Sequence, residues 1–335
     1  MPHNRYDIVA IGNAIVDVLA ATDDQFLSEK NITKGSMQLI DADSAETLYQ
    51  EMNPSHEISG GSAANTLVGV AALGGRCAFI GQVANDPLGQ VFQQDIRAQN
   101  IHFDVPVQEA TIPTGRCLIL VSPDGERSMN TFLGVAQTLH QTAIKPEVIE
   151  NAEILYLEGY LWDPEVPRSA MKEAIQIARK AGKKVALTLS DTFCIERHRE
   201  DFKQLINNGL IDILFANEGE LRSLVQHDDL DRGIEEVAAK LPLLVVTKGP
   251  DGAIAVQDME RTEVSAKKID QVVDTTGAGD LFAAGFLAGQ ARNLSIAASL
   301  EMGAIAAAEI ISHYGARPEN DIKTMIESAL NISLN

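Results

Sequence analysis

Short apolar runs alternate with longer amphipathic segments along most of the chain. The runs that are apolar at nearly every position are "YDIVAIG", "ILYLEG", "KKVALTLS", "IDILFAN" and "LLVVTKG". Unbroken apolar runs of this length are typical of strands buried on both faces of a parallel sheet. The segments between them, such as "RSAMKEAIQIARKAG", have apolar residues at helical spacing. This alternation predicts βαβ units, and therefore an α/β fold with a mostly parallel sheet covered by helices on both faces.

Two regions interrupt this alternation. Lys34 to Ile40 and Val105 to Phe132 contain short alternating strands with turn signals such as Pro123-Asp124-Gly125. They predict an antiparallel subsheet inserted into the α/β body, and we interpret a small projecting sheet of this kind as a lid. Because the chain has no evident repeat, low-complexity segment or linker, we expect a single domain over residues 1–335, with lid strands inserted at about 14–58 and 103–135.

Composition and charge argue against some classes of binding partner. Of the 335 residues, 45% are hydrophobic, which is enough for a large core. The 27 basic and 47 acidic residues give a net charge of −20, which argues against binding to nucleic acid or to an anionic membrane. We therefore expect small-molecule partners, and any anionic substrate must be held by a local site.

Cysteine usage and the N-terminus favour a cytoplasmic location. The three cysteines are widely spaced and form no CxxC or Cys/His pattern, so disulfide and zinc interpretations are weak. The N-terminal "MPHNRYDIVAIG" lacks the features of a signal peptide, and no run approaches the length of a membrane span. The sequence does not distinguish a monomer from a homodimer.

The stretch "DTTGAGDLFAAGFL" (Asp274 to Leu287) carries the clearest chemical signal. A glycine-rich turn that leads into a helix is an anion site, because free N–H groups and the helix dipole both favour negative charge. A P-loop string is absent, and Phe282 stands where a dinucleotide fingerprint needs its third glycine. Asp280 would repel an anion bound there, unless the reaction also requires a proton to be removed.

Phosphoryl transfer to a hydroxyl reconciles the turn with its aspartate. The amides of Gly277, Ala278 and Gly279 would stabilise charge on the phosphates, and Asp280 would accept the proton of the attacking hydroxyl. The helix N-terminus favours the ionised carboxylate, so we expect a weak base that is always available at neutral pH. The alternative interpretation is that Asp280 only caps the helix.

Four motifs together resemble the ribokinase-like (PfkB-type) family of carbohydrate and nucleoside kinases. They are the stretch at Asp274, "GGSAANTLVGVAALGG" from Gly60, "NEGE" (Asn217 to Glu220) and "VTKGPDGA" (Val246 to Ala253). The resemblance covers essentially the whole chain. It implies a ribokinase-like three-layer α/β/α sandwich with a mostly parallel central sheet and a small β-sheet lid.

Within this family the details are similar to adenosine kinases. "GNAIVD", "IDILFANEGE" and "DGERSMNTFLGVA" carry that similarity, whereas Leu67 and Ala84 depart from the usual family pattern. The resemblance implies an ATP-dependent kinase of purine salvage that phosphorylates the 5′-hydroxyl of adenosine to give AMP and ADP. A sugar kinase for ribose or fructose, or a kinase of another nucleoside, is the alternative. A dinucleotide-dependent oxidoreductase and a catalytically idle nucleoside-binding regulator are the candidates from other classes.

The acceptor site is predicted at the end of the first strand. Asn13 and Asp17 follow that strand, and a carboxylate beside an amide suits the two neighbouring hydroxyls of a ribose. Gly60 and Gly61 would let the backbone approach the sugar, and Asn65 would reach the same hydroxyls. The alternative is a surface Asn/Asp pair that caps a helix. For the base we name as candidates Leu39, Cys117, Leu133, Tyr160, Leu161, Trp162 and Phe193, each of which is equally well a core residue.

The nucleotide side is predicted from the remaining motifs. Asn217 and Glu220 suit a hydrated Mg²⁺, although the same pair also forms a helix capping box. Arg127 resembles an arginine of adenosine kinases that contacts the transferring phosphate; the alternative is a solvated turn arginine. The resemblance implies an ATP site formed by Asn217, Thr247, Gly249, Gly252, Thr275, Gly277, Gly279, Gly315 and Ala316. Some family members bind K⁺ near the glycine turn, where Asp274 and Thr276 occupy matching positions.

Overall fold

A computed structural model of the chain describes residues 6–109 and 111–334. The first five residues of the N-terminal stretch discussed above, Ala110 in the predicted lid region and the last residue lie outside this range. The described residues form these strands, in chain order: β1 (Tyr6–Ile11), β2 (Ile15–Ala21), β3 (Met37–Leu39), β4 (His56–Gly60), β5 (Cys77–Ile80), β6 (Ile101–His102), β7 (Gly115–Val121), β8 (Arg127–Phe132), β9 (Ala152–Glu158), β10 (Lys184–Thr188), β11 (Ile213–Asn217), β12 (Leu243–Thr247), β13 (Ala253–Gln257) and β14 (Glu260–Val264).

The α-helices lie between these strands and after the last of them. They are α1 (Asp24–Glu29), α2 (Ala42–Glu51), α3 (Ser62–Ala72), α4 (Pro87–Ala98), α5 (Pro146–Glu150), α6 (Glu165–Lys180), α7 (Thr192–Asn207), α8 (Glu218–Val225), α9 (Leu230–Ala238), α10 (Ala278–Ala291), α11 (Ile296–Ile310) and α12 (Ile322–Leu330). None of the helices in the described ranges has the length and apolar character that crossing a membrane requires.

The central sheet has nine strands in the order β14-β13-β12-β11-β10-β9-β1-β5-β6. All neighbours from β6 to β12 are parallel, and β13 and β14 add an antiparallel edge. The apolar runs of the sequence form these parallel strands because both of their faces are buried, as the fully buried β12 residues 243–246 illustrate. The predicted mostly parallel sheet is therefore confirmed.

The strand order reverses at β1, which separates two groups of helices. The chain proceeds from β1 to β5 and β6 on one side, and from β9 to β12 on the other. Because parallel crossovers are right-handed, these two directions place helices on opposite faces of the sheet. Helices α3, α10 and α11 pack together, whereas α6, α8 and α9 pack on β10, β11 and β12. The predicted three-layer α/β/α sandwich is confirmed.

A second sheet has five strands in the order β3-β8-β7-β2-β4. It is mixed, so the prediction of an antiparallel subsheet is wrong. β7 and β8 form the expected hairpin, but β2 pairs in parallel with β7 and β3 pairs in parallel with β8. Residues 22–114 connect β2 to β7 and residues 40–126 connect β3 to β8, and such long connections permit parallel pairing where tight turns do not.

Candidate active site

The glycine turn forms the N-terminus of α10. Gly277 is the N-cap in the left-handed region at φ 77°, and a Cβ there would lie 2.9 Å from the Cβ of Ala316. Within the described part of the chain, the N–H groups of Gly277, Gly279 and Asp280 have no hydrogen-bond acceptor. The amide of Ala278, which we also expected to face phosphate, instead donates to Thr275 O at 3.2 Å. Three free donors thus remain at the positive end of this helix.

Asp280 is the third residue of α10, and its side chain contacts α3. Oδ1 accepts from Ser62 Oγ at 2.6 Å, and Oδ2 accepts from Asn65 Nδ2 at 3.4 Å. The cap of α10 has no side-chain hydrogen bond. The interpretation of Asp280 as a helix cap is therefore wrong, because the carboxylate is held by side chains of a different helix. Ser62 was missed by the sequence reasoning, although it follows Gly60 and Gly61 in the glycine motif and is the first residue of α3.

Burial raises the pKa of Asp280 to about 6. The hydrogen bonds from Ser62 and Asn65 and the charge of Arg317 act in the opposite direction and lower this pKa. The expected weak base is therefore corrected to a stronger one. The helix N-terminus does favour the anion, but the loss of solvation upon burial outweighs it. At pH 7 the group is still mostly ionised, and a pKa close to the working pH suits a general base.

Asn13 is placed at the carboxyl end of β1 by a carboxylate from the neighbouring strand. Ile11 pairs with Leu157, so Asn13 and Glu158 follow at the same edge of the sheet. Asn13 Nδ2 donates to Glu158 Oε1 at 2.7 Å, and the other oxygen of Glu158 accepts the N–H of Ala63 at 2.9 Å. Asn13 is 2% exposed and its Oδ1 has no partner among the described residues. That oxygen is available to a bound hydroxyl, so the alternative of a surface capping pair is wrong for Asn13.

Glu158 is a site residue that the sequence reasoning missed. It is 1% exposed, and burial raises its pKa to about 7 against the hydrogen bonds from Ala63 and Asn13. The available signal was an acidic residue at the end of "ILYLEG", since the carboxyl ends of parallel strands meet at one edge.

Asp17 lies inside β2 of the second sheet, not directly after the first strand as expected. A Cβ on Gly60 would lie 2.4 Å from Asp17 Oδ2, and a Cβ on Gly61, at φ 97°, would lie 2.3 Å from Asn13 O. The two glycines therefore make room for Asp17 and Asn13, and the approach of their backbone to a sugar stays a prediction. Burial raises the pKa of Asp17 to about 6, while Arg317 and Arg127 lower it.

Asn65 contacts the Asp280 carboxylate. Its Nδ2 donates to Asp280 Oδ2, a contact that we did not predict, and its contact with the acceptor hydroxyls stays a prediction. Its Oδ1 is buried and has no partner within residues 6–109 and 111–334. Asn13 and Asn65 thus each hold one amide nitrogen on a carboxylate and leave one oxygen free as an acceptor.

Arg127 is buried at the start of β8, so the alternative of a solvated turn arginine is wrong. It is 8% exposed. Its Nε lies 3.0 Å from Asp274 Oδ2, which makes an ion pair, but the geometry is not that of a hydrogen bond. Its guanidinium lies 5.3 Å from the ring of Tyr314. The second sheet is thereby tied to the residue that opens the glycine turn.

Asp274 is already engaged by protein donors. Its oxygens accept from Thr276 N and Gly315 N, each at 2.9 Å. Because these contacts and Arg127 use both oxygens, this carboxylate does not fit K⁺ in the arrangement described, and no step below involves that ion. Gly315, expected in the ATP site, instead orients Asp274, and Ala316 is buried against Gly277.

A cleft of about 730 Å³ opens at the N-terminus of α10. Of the residues predicted for ATP it is lined by Thr247, Gly249, Gly252, Thr275 and Gly279. Apolar side chains such as Phe282, Val272 and Ile269 form much of its remaining wall, and Lys267 and Lys268 also reach it. This volume is within the usual range for a cofactor site. The other predicted residues, Asn217, Gly277, Gly315 and Ala316, do not line it.

Asn217 and Glu220 form a capping box at the start of α8, as the alternative interpretation stated. Asn217 Oδ1 accepts the Glu220 N–H at 2.8 Å, and Glu220 accepts from the backbone and side-chain nitrogens of Asn217 at 3.0 and 2.7 Å. Burial raises the pKa of Glu220 to about 7. Since both carboxylate oxygens are engaged, the pair fits Mg²⁺ only through the waters that this ion retains. Among the described residues, no group of three or more His, Cys, Asp or Glu could hold a metal.

The candidates for base contacts fall into two groups. Leu161 and Trp162 are fully buried core residues, with Trp162 Nε1 donating to Asp201. The remaining candidates lie nearer the surface or in the second sheet. Leu39 and Phe193 are 70% and 68% exposed, and Leu133 and Tyr160 are half-buried. Cys117 pairs with Asp17 in the register of the second sheet.

Comparisons with known proteins agree with this geometry. The family model described as "pfkB family carbohydrate kinase" matches residues 7–323. The crystal structure of adenosine kinase from Sinorhizobium meliloti is 46% identical, with a TM-score of 0.89 over 97% of this chain and 99% of that one. A probable sugar kinase from Rhizobium etli CFN 42 is 43% identical, with a TM-score of 0.90 over 98% and 99%.

Curated proteins give the same result. Adenosine kinase 2 of Arabidopsis thaliana is 26% identical over 93% of this chain and 96% of its own length. Because the family model spans nearly the whole chain, the chain belongs to the pfkB family of carbohydrate kinases, which transfer a phosphoryl group to a hydroxyl acceptor.

Proposed function

We propose that the protein transfers the γ-phosphate of ATP to the 5′-hydroxyl of adenosine and releases AMP and ADP. The observation that carries this proposal is the position of Asp280. Its half-buried carboxylate lies in the first turn of α10, beside the free N–H groups and the 730 Å³ cleft that Gly279 lines, and Ser62 and Asn65 of α3 hold it.

In this proposal Asp280 removes the proton of the attacking hydroxyl. Ser62 and Asn65 hold the carboxylate, and its pKa of about 6 makes it both ionised and sufficiently basic at neutral pH. The free N–H groups of Gly277 and Gly279 stabilise the charge on the transferring phosphoryl group. Asn217 and Glu220 would hold Mg²⁺ through its waters, and the bound ion would neutralise part of the phosphate charge.

The acceptor groups suit a molecule with neighbouring hydroxyls. Asp17 offers carboxylate oxygens, and the unpartnered oxygens of Asn13 and Asn65 add two more acceptors. A ribose diol donates to such a set. The adenosine kinases of Sinorhizobium and Arabidopsis support adenosine as acceptor, and the probable sugar kinase of Rhizobium supports the alternative of a free sugar.

The second sheet is the lid of a single-domain enzyme in this proposal, and the three free buried cysteines support a cytoplasmic location. Slower hydrogen exchange of β3 and β8 upon addition of adenosine is the expected sign of lid closure. Unchanged exchange there would contradict a lid.

The substrate assignment is tested by coupled ADP release. Adenosine, inosine, guanosine, cytidine, ribose and fructose are compared under the same conditions. We expect the highest kcat/KM with adenosine. A higher kcat/KM with ribose or fructose would assign the protein to the sugar kinases instead.

Gly279→Ala tests the nucleotide side. A Cβ at Gly279 meets nothing within 4 Å in the protein, so the variant should fold and gain about 0.5–1 kcal/mol from helix propensity. The methyl group lies at the anion-binding turn, so we expect the KM for ATP to rise about tenfold, the effect of moderate overpacking. Gly233→Ala adds the same methyl group within α9, away from the cleft, and is the control for the KM; a Cβ there would lie 3.3 Å from Val225 Cγ2, so a smaller gain in stability is expected. An unchanged KM for ATP in the first variant would contradict this ATP site.

Glu220→Gln tests the magnesium role without removing the capping box, which accepts glutamine. At pH 8 the parent carries a mostly ionised Glu220, so the variant should need several-fold more Mg²⁺ for half-maximal rate. At pH 6 both side chains are mostly neutral and the two magnesium titrations should nearly coincide. Glu218→Gln, two residues earlier in the same helix, is the control. Coincident titrations at pH 8 would exclude Glu220 from magnesium binding.

A further inference from the structure

Arg317 lies between α11 and α12 and reaches the site from outside every motif discussed above. Its Nη2 donates to the carbonyl oxygen of Ser59 and, at 2.7 Å, to Ser59 Oγ. Ser59 is fully buried and donates through its N–H and hydroxyl to Asp95 Oδ2 at 3.0 and 2.5 Å. Asp95 Oδ2 lies 3.9 Å from Arg317 Nη2. The guanidinium is therefore held in place at the end of β4.

The segment from Ser59 to Ser62 contacts both carboxylates of the site. Gly60 packs directly on the carboxylate of Asp17, and the hydroxyl of Ser62 donates to Asp280. Since Arg317 holds Ser59 at the start of this segment, its position affects how both carboxylates are placed. A contact that fixes one end of a short backbone segment also helps to fix the side chains that the segment touches.

The charge of Arg317 acts on the same two groups. It lowers the pKa of Asp280, and for Asp17 its effect exceeds that of Arg127. Its Nη1 is buried and has no acceptor among the described residues. The other ionisable groups that interact with this cluster are Asp95 on α4, Cys117 on β7, Arg127 on β8, Tyr156 and Glu158 on β9, and Tyr160.

We propose that Arg317 is a positioning residue of the phosphoryl-transfer site: it anchors the segment 59–62 against Asp17 and Asp280 and supplies the positive charge that lets both be ionised together. Two half-buried carboxylates that interact disfavour each other's charged form, and a fixed cation offsets this. The proposal rests on the proposed function insofar as Asp280 is the base.

The test compares Arg317→Gln, which removes the charge, with Arg317→Lys, which keeps it. The acid limb of the kcat/KM profile reports the base of the free enzyme. We expect this limb to move to higher pH by about 0.5–1 unit in the Gln variant, since loss of a nearby opposite charge raises a carboxylate pKa. In the Lys variant the limb should stay within error of the parent, while kcat/KM falls several-fold because lysine cannot hold Ser59 as a planar guanidinium does.

Arg76→Gln is the matched control. Arg76 is an exposed arginine paired with Asp7, so this variant has the same change in net charge away from the site. We expect its pH profile to equal that of the parent. An equal shift in this control would overturn the proposal, because net charge alone would then explain it.

A second readout is independent of catalysis. The folded pKa values of Asp17 and Asp280, about 6, lie above the ordinary aspartate value of 3.8, so their contribution favours folding at low pH and is lost as pH rises through about 6. Removing Arg317 raises these pKa values further. Between pH 6 and pH 8 the Tm of Arg317→Gln should therefore fall more than that of the parent, by about 2 °C or more.

The two readouts separate the inference from the proposed function. If the parent has no kinase activity but the Tm of the Gln variant shows the steeper pH dependence, the proposed function fails and the role of Arg317 stands. An unshifted acid limb, or parallel Tm curves, would overturn the charge role. If the Gln variant does not fold, a Lys variant with unchanged kcat/KM would overturn the anchoring role.

Discussion

Asp280→Asn should lower kcat by about a hundred- to ten-thousand-fold, the usual cost of removing a positioned general base. The variant keeps the shape of the side chain, and Ser62 can still donate to its oxygen. Asn65 can turn its amide so that the currently unpartnered Oδ1 faces the new amide nitrogen. The protein should therefore fold and bind adenosine through Asn13 and Asp17. ATP should bind at least as well, because a negative charge beside the phosphates is removed.

The stability of this variant has a defined pH dependence. In the parent, the pKa of Asp280 is raised to about 6 by burial, so its ionisation lowers stability as pH rises through that value. The Asn variant lacks this loss, and its Tm should fall less between pH 5 and pH 8. Differential scanning calorimetry at several pH values measures this difference.

The control for this experiment is Asp321→Asn. Asp321 caps α12 on the surface, so its replacement tests the loss of a helix-capping carboxylate without touching the site. We expect a loss of about 1 kcal/mol or less in stability and an unchanged kcat. Turnover of Asp280→Asn within a few-fold of the parent would remove the proposed mechanism.

Asp17→Asn should lower kcat/KM for adenosine by about a hundredfold or more, because hydrogen bonds to a charged group contribute about 1.5–3 kcal/mol each. Asparagine fits beside Gly60 as aspartate does, but it is neutral and offers only one acceptor oxygen. The loss should appear with the nucleoside, while the KM for ATP stays close to the parent value.

The kcat/KM values for deoxynucleosides test whether Asp17 contacts the ribose hydroxyls. The parent should prefer adenosine over 2′-deoxyadenosine and 3′-deoxyadenosine, because Asp17 accepts from the diol. That preference should shrink in Asp17→Asn. Asp104→Asn is the control, since Asp104 is exposed and paired with Lys145. Undiminished discrimination in Asp17→Asn would mean that Asp17 does not contact the ribose.

The central sheet and the glycine turn were predictable from the sequence because their signals are local. An apolar run such as "LLVVTKG" specifies a strand buried on both faces wherever the chain takes it. Likewise, the turn before α10 requires glycine at Gly277 and creates free N–H groups whatever surrounds it. The mixed pairing of the second sheet was not predictable, because β2 and β7 are separated by many residues and no local pattern records their direction.

The sequence by itself determined the fold class and the anion-binding turn, and it was enough to propose Asp280, Asn13 and Asp17 as reactive or acceptor groups. Only the tertiary structure decided what these groups do to one another. Glu158 and Arg317 come from distant parts of the chain, and they orient Asn13 and lower the pKa of Asp280 only because the fold brings them there. Burial decides the pKa of Asp280 in the same way, because desolvation depends on every element that packs around the carboxylate. The helix terminus, from which we predicted a weak base, is encoded within a few residues.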